Sequence, residues 1–221
     1  DPQEVLRILG TPTQRIWERR PADRDFLDLR VGLGAVAASV EVARRSGDEG
    51  LDPSDLNMAS VPVCVPLPET GVLGISGYDE STGQLGRWIA AQIVALQAPD
   101  DVQLVVLSPR DGRARWSWLR WAPHCRLASD DRLVWVATDS DSVDARARSL
   151  KELVQQREQL KGSSPHGPAF SPAVVVILDG AADLRRRPDV AAILQRGPSV
   201  SVFFVCLDNS PHLLPEECRA V

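Results

Sequence analysis

Lysine is almost missing from this chain. Of its 25 lysine and arginine residues, only Lys151 and Lys161 are lysine. A Walker-type phosphate loop needs a lysine at one defined place, so two lysines make that question answerable by inspection. Net positive charge is missing as well. The formal charge is -5 and the pI about 5.3, whereas a nucleic-acid binder generally carries a basic surface. Nucleic acid is therefore not expected as a partner. The arginine-rich pieces at 15–24 and 110–120 read as solvated or salt-bridged faces. No apolar run approaches the roughly 20 residues that span a bilayer, and these residues are not expected to include a signal peptide. His124, His166 and His212 lie far apart, without metal-ligand spacing, so no metal site is expected. Cys64, Cys125, Cys206 and Cys218 form no C-x-x-C pair and read as free thiols of a reducing compartment. Cys64 and Cys206 sit inside apolar, strand-like segments and are expected to be buried. The chain starts at Asp1 without a methionine, as expected of a piece of a larger protein.

What is present suits a folded α/β domain. The chain has 221 residues, 43% of them hydrophobic, enough for one sizeable core. Residues 1–58 are the least regular. Val5–Leu9 reads as one or two helical turns, Leu29–Val42 as a strand pair broken near Gly32 and Gly34, and Gly47–Pro53 as a loop. These residues are expected to pack as an extension on a core of residues 59–221, because Phe26, Leu27, Leu29 and Val31 need burial.

From residue 61 strands and helices alternate. Val61–Leu67 contains two prolines and reads as an edge strand. Val72–Ser76 reads as a buried strand and Gly77–Gly83 as a polar loop. A helix follows from about Gln84 to Leu96, with an apolar face of Leu85, Trp88, Ile89, Ile93 and Leu96, Gln92 being its one polar interruption. Further strands are expected at Val102–Leu107, Leu133–Ala137, Ala173–Leu178 and Val200–Leu207. A long helix is expected at Ser142–Leu160, capped by Asp141 or Ser142, with Val143, Ala147, Leu150, Val154 and Arg157 as its inner stripe. The pattern implies a mostly parallel sheet flanked by helices. Ala173–Leu178 is apolar at every position, as in a central strand covered on both faces.

Two junctions have the layout of a nucleotide site. A strand, a Gly-containing loop and a helix can present backbone N–H groups to phosphate. Aligned on G-x-x-x-x-G-K-[ST], Gly77 takes the first glycine. Thr82 stands at the second, Gly83 at the lysine and Gln84 at the hydroxyl residue, with Ser81 close by. Asp79 and Glu80 add negative charge. A like-charge pair at ~4 Å costs about 1 kcal/mol in water and several times that when partly buried. The second junction is the apolar strand ending in Asp179, the pattern of a Walker B carboxylate that holds Mg²⁺. Gly180 stands where hydrolysing enzymes place a glutamate base, whose help is worth roughly 10²–10⁴ in rate. The candidate pocket is therefore Gly77, Ser81, Thr82, Gly83 and Asp179, a degenerate nucleotide site with no catalytic residue. The alternative is an ordinary turn at each place, with Ser81 or Thr82 capping the helix and Asp-Gly making a turn.

Trp116, Trp118 and Trp121 precede Pro123 and His124, and their spacing does not fit one helical face. They read either as packing that orders a long connection or as a docking surface.

Five segments in order carry a resemblance: Trp17-Glu18-Arg19-Arg20-Pro21, Asp25–Gly34, Trp116–His124, the strand with Asp179-Gly180, and Leu214–Arg219. Together the chain resembles EccC-type motor ATPases of type VII (ESX) secretion, in the FtsK/SpoIIIE family. The resemblance implies a membrane-proximal, degenerate P-loop-like domain that follows two transmembrane helices and precedes several ATPase domains. Its parent would be a hexameric motor using ATP and Mg²⁺ at the cytoplasmic face of the inner membrane, exporting WXG-motif proteins with the other components of the membrane complex. No cofactor is implied for this piece itself, because it departs from the active pattern at Gly83, Gln84 and Gly180. The function so implied is coupling between the membrane complex and the motor domains. The alternatives are a nucleotide-binding domain with an unorthodox site using an arginine such as Arg87, and a part of a DNA translocase. Abundant arginine beside scarce lysine suits a high-GC actinobacterium.

Overall fold

The computed structural model describes residues 2–11, 14–37, 57–108, 112–127, 130–163 and 169–219. The expected loop Gly47–Pro53 and the stretch 38–42 lie outside them. The chain opens with α1 (Pro2–Gly10), where proline tolerates the first helical turn. An irregular segment leads to β1 (Asp28–Ala37), which pairs antiparallel with β2 (Asn57–Pro66). The expected break near Gly32 and Gly34 is instead one strand with two register shifts, at Arg30/Gly32 and Gly34/Val36. Bulges of this kind bend a ribbon without ending it. The short α2 (Leu67–Thr70) then leads into β3 (Val72–Ser76), α3 (Asp79–Leu96) and β4 (Val102–Leu107).

After β4 come α4 (Gly112–Trp116) and two 3₁₀ turns at Ser117–Trp121 and Pro123–Cys125. A small antiparallel pair follows, β5 (Arg126–Leu127) and β6 (Asp130–Val134), then β7 (Val136–Ala137). The single strand expected at Leu133–Ala137 is thus split at Trp135, whose N–H bonds to Cys125 and whose carbonyl accepts from Val106. The long helix α5 runs from Ser140 to Ser163, and the last elements are β8 (Ala173–Asp179), α6 (Ala181–Arg185), α7 (Pro188–Arg196) and β9 (Val202–Asp208). The cap of α5 is Asp139 rather than Asp141 or Ser142. Its carboxylate accepts from the Ser142 N–H at 2.9 Å, satisfying an otherwise orphaned helix donor.

The main sheet has five strands in the order β3–β9–β8–β4–β7, every neighbouring pair parallel. Alternation along the strands sends Val175, Ile177, Val205 and Leu207 to one face, beneath Ile89 and Ile93 of α3. Val174, Val176, Leu178 and Phe204 go to the other, against Val143, Leu150, Val190 and Ile193 of α5 and α7. The result is a three-layer α/β fold, and the continuous apolar reading of β8 follows from cover on both faces.

The N-terminal part is tied to α3 rather than to the sheet. Val5 and Ile8 pack on Ala95 and Leu96. The Trp17 and Arg19 N–H groups donate to the carbonyls of Ala95 and Leu96, and Trp17 Nε1 donates to Val94. Leu27 and Leu29 are buried in the α3-side core, with Phe26 and Val31 packed against it. The polar interruption Gln92 finds its reason here. Its side-chain amide accepts from the Arg30 N–H at 3.0 Å and donates to the Arg30 carbonyl at 2.9 Å, docking the β1–β2 ribbon on the helix. Arg157 ends the stripe of α5 in the same way. It is buried and donates to the carbonyls of Val200, Ser201 and Pro172, with its guanidinium 5.4 Å from the Phe170 ring.

Of the cysteines, Cys125 and Cys206 are buried while Cys64 is exposed. The expectation for Cys64 fails because β2 belongs to a two-stranded ribbon with one open face, not to the covered sheet. His124 is buried. Its Nε2–H donates to the Gln97 carbonyl at 2.8 Å, its ring meets Trp17 edge-on at 6.3 Å, and burial pushes its pKa down.

Two outcomes follow. Gln92→Leu keeps the Trp88 Nε1 bond to the Arg30 carbonyl but orphans the Arg30 N–H. A stability loss of about 1–3 kcal/mol is expected, read as a lower urea midpoint at unchanged slope. For His124 the folded pKa lies below the ordinary 6.5, so the unfolded chain binds a proton that the folded chain refuses. Its contribution is complete above pH 6.5 and is lost as pH falls from there toward the depressed folded value. His124→Gln should flatten that part of the midpoint-versus-pH curve, and an unchanged slope would contradict the assignment.

Candidate functional site

Because the sheet is parallel, β3, β8 and β9 end on one side at Ser76, Asp179 and Asp208. This carboxyl edge is where open α/β sheets bind ligands. The Asp179 carboxylate is held from three directions. Ser108, just past β4, donates its hydroxyl to Oδ2 at 3.0 Å, and Trp116 donates Nε1 to Oδ2 at 2.8 Å. The Arg115 guanidinium donates from Nη1 to Oδ1 at 2.9 Å and to Oδ2 at 3.1 Å. Each carboxylate oxygen offers about two acceptor positions; Oδ2 takes three of these contacts and Oδ1 one. The pair is partly buried, at 22% exposure for the Arg115 side chain and 11% for that of Asp179.

Arg115 also reaches the other junction. A Cβ added to Gly83 would stand 2.6 Å from Arg115 Nε and 2.7 Å from Cζ, so the guanidinium lies directly on the Gly83 backbone. One arginine therefore bridges Gly83, at the fifth position of α3, and Asp179. Sequence reasoning placed Arg115 on a solvated face and singled out Arg87, which is exposed. The usable signal was its position beside Trp116, which is fully buried at 0% exposure. Trp118 is half-buried, whereas Trp121 is 82% exposed.

The β3–α3 junction differs from the expected loop. The helix begins at Asp79, so only Gly77 and Tyr78 remain between strand and helix. Tyr78 takes the N-cap position without a side-chain cap, and neither Ser81 nor Thr82 caps the helix. The physical reason is electrostatic. Acidic residues at a helix N-terminus are favoured by the helix dipole, and Glu80 lies in that first turn. Ser81 is exposed. Thr82 is buried, with its N–H bonded to the Tyr78 carbonyl and its hydroxyl without a hydrogen-bond partner. Gly77 lies beside it, since a Cβ added there would stand 3.4 Å from Thr82 Oγ1. Of the five expected residues, Gly83 and Asp179 both touch Arg115, Gly77 and Thr82 lie together at the start of α3, and Ser81 is exposed.

Gly180 is glycine for a backbone reason. Its φ of +87° is left-handed, and it serves as the N-cap of α6. A side chain there costs roughly 1–2 kcal/mol. The carboxylate at the end of β9 is also in use, since Asp208 Oδ2 accepts from the Ala182 N–H at 2.9 Å in the first turn of α6. These residues do not fit Mg-ATP. A two-residue turn offers no phosphate cradle, the glycine surface is covered, and the acidic residues are engaged. Two grooves, of about 290 and 520 Å³, lie at the opposite, amino ends of the strands, around Ala173 and Phe203 and around Gly71 and Pro198. Among the described residues, no cluster of three or more His, Cys, Asp or Glu could hold a metal, and no helix is long and apolar enough to cross a membrane.

A double-mutant cycle tests the Arg115–Gly83 contact. In an open helix position, Gly→Ala gains about 0.8–1 kcal/mol. Gly83→Ala should destabilise the otherwise unchanged protein and stabilise the Arg115→Ala background. Equal effects in both backgrounds would mean that the two residues do not touch.

No protein-family model matches the chain. It is 28% identical over 137 residues to the ESX-4 secretion system protein EccC4 of Mycobacterium tuberculosis, covering 56% of this chain and 11% of that protein. It is 27% identical over 181 residues to the ESX secretion system protein EccC of Geobacillus thermodenitrificans, covering 74% of this chain and 12% of that protein. Among solved structures it resembles ATPases 2 and 3 of Thermomonospora curvata EccC in complex with a signal sequence peptide. The TM-score is 0.63 at 18% identity, with 95% of this chain and 37% of that one covered. The cytoplasmic domain of the same type VII secretion ATPase gives 0.61 at 16% identity, over 95% of this chain and 24% of that one. At these identities the structures establish the shared ATPase-domain fold. The chain spans only about a tenth of the length of the curated relatives named here, and it is a homologue of one stretch of the EccC proteins of ESX, or type VII, secretion systems.

Proposed function

We propose that this domain is a non-catalytic coupling domain of a type VII secretion motor. It would lie next to the membrane, between the membrane complex and the ATPase domains that drive export of WXG-type proteins. ATP and Mg²⁺ would serve the motor domains of the parent, a hexamer at the cytoplasmic face of the inner membrane, and not this domain. The observation that carries this reading is the Asp179 carboxylate, occupied by Ser108, Arg115 and Trp116. A domain that spends its cation-binding residue on its own arginine is suited to hold a shape and transmit force. The N-terminal strap supports the same role, because Trp17 and Arg19 fasten the incoming chain to the end of α3. Its partners would be the other membrane-complex components and the following domains of the same chain, and the -5 net charge speaks against nucleic acid.

Calorimetric titration of the purified chain with Mg-ATP tests the reading. No binding up to millimolar nucleotide is expected. Micromolar binding that is lost in Asp179→Asn would overturn it.

A further inference from the structure

Away from this edge, two thiols meet on the other face of the sheet. Cys206 lies in β9 opposite Gly74 of β3 and is fully buried. Cys218 lies on the segment after β9 and is half-buried. Cys218 packs against the cluster that contains Cys206, so both thiols stand over Gly74. Gly74 makes this approach possible, since a Cβ there would stand 3.1 Å from Cys218 Sγ and 2.8 Å from Leu214 Cδ1. The segment is positioned independently of the thiols. The Arg219 N–H donates to the Val72 carbonyl at 3.0 Å, and Arg185 forms an ion pair with Glu217 at 2.8 Å. The contact is therefore built by the fold.

We propose that Cys206 and Cys218 form a reversible disulfide under peroxide, making residues 209–219 a redox-sensitive latch across β9 and β3. Cys218 is the attacking thiol because it is the accessible one. The neighbouring Cys206 thiol also favours its thiolate, against burial and the neighbouring Glu217 charge. Its sulfur attacks a peroxide oxygen, the O–O bond breaks, and a sulfenic acid and one water result. The Cys206 sulfur then attacks the sulfenic sulfur, the S–O bond breaks, and the leaving hydroxide takes the Cys206 proton as a second water. Two thiols and one hydrogen peroxide thus give one disulfide and two waters, and a dithiol restores both thiols by exchange. The other cysteines are poorly placed for the same chemistry. Burial pushes the Cys125 thiol up to about 12, and partial burial with the Asp28 charge raises that of exposed Cys64.

The sequence makes the test direct. No lysine or arginine lies between Arg196 and Arg219, so one tryptic peptide, residues 197–219, holds both cysteines. After hydrogen peroxide treatment of the Cys64→Ser protein, mass spectrometry without reductant should find this peptide lighter by two hydrogens. Cleavage after Glu216 or Glu217 should leave its halves linked, and dithiothreitol should restore the mass. The oxidised protein should melt at a higher temperature than the reduced one, and Cys218→Ser should abolish both effects. A peptide that gains oxygen on Cys218 without losing hydrogen would overturn the proposal. So would an unmodified peptide, or an oxidised protein that melts no higher than the reduced one.

Discussion

The hold of Arg115 Nη1 on both oxygens of Asp179 is the contact around which the carboxyl edge of the sheet is organised. It joins three pieces of chain distant in sequence: the end of β8, the helix α4, and, through the guanidinium lying on Gly83, the start of α3. Trp116 shares the carboxylate through its indole N–H while its ring fills the core beneath α3. Partly buried ion pairs are weak evidence for stability, because desolvation offsets much of their attraction. Their better-founded value is positional. Arg115 and Trp116, both of α4, meet the same carboxylate, so Asp179 sets where α4 sits and hence what covers Gly83 of α3.

The same economy recurs at the other polar interruptions of the core. Gln92 sits on the buried side of α3 and is matched to both backbone groups of Arg30, so the β1–β2 ribbon has one seat. Arg157 closes the amino ends of the strands by collecting carbonyls from the chain before β8 and before β9. Each group replaces apolar contact by directed bonds.

Much of this was legible beforehand where the signal was periodic. The apolar run Ala173–Leu178 and the three- and four-residue spacing of Ile89 and Ile93 report their surroundings directly, because burial on both faces or on one stripe leaves that pattern. The junctions were less legible. The start of α3 was misplaced because a glycine-flanked polar stretch reads as a loop, while an acidic residue such as Glu80 is favoured at a helix N-terminus. Cys64 was misplaced because strand character alone does not say whether a second layer covers the strand. The contact between Arg115 and Asp179 was not legible. Arg115 and Asp179 are 64 residues apart, and no spacing rule links an arginine in a basic run to a carboxylate on another strand.

The most direct measurement is an NMR observation of the Arg115 guanidinium, assigned by its loss in Arg115→Lys. Held by Asp179 and seated on Gly83, its side-chain N–H signals should be sharp, slow to exchange with water and unmoved by millimolar Mg-ATP. Signals that exchange freely, or that shift saturably as nucleotide is added, would show that the space is open and that the carboxylate of Asp179 is available to a ligand.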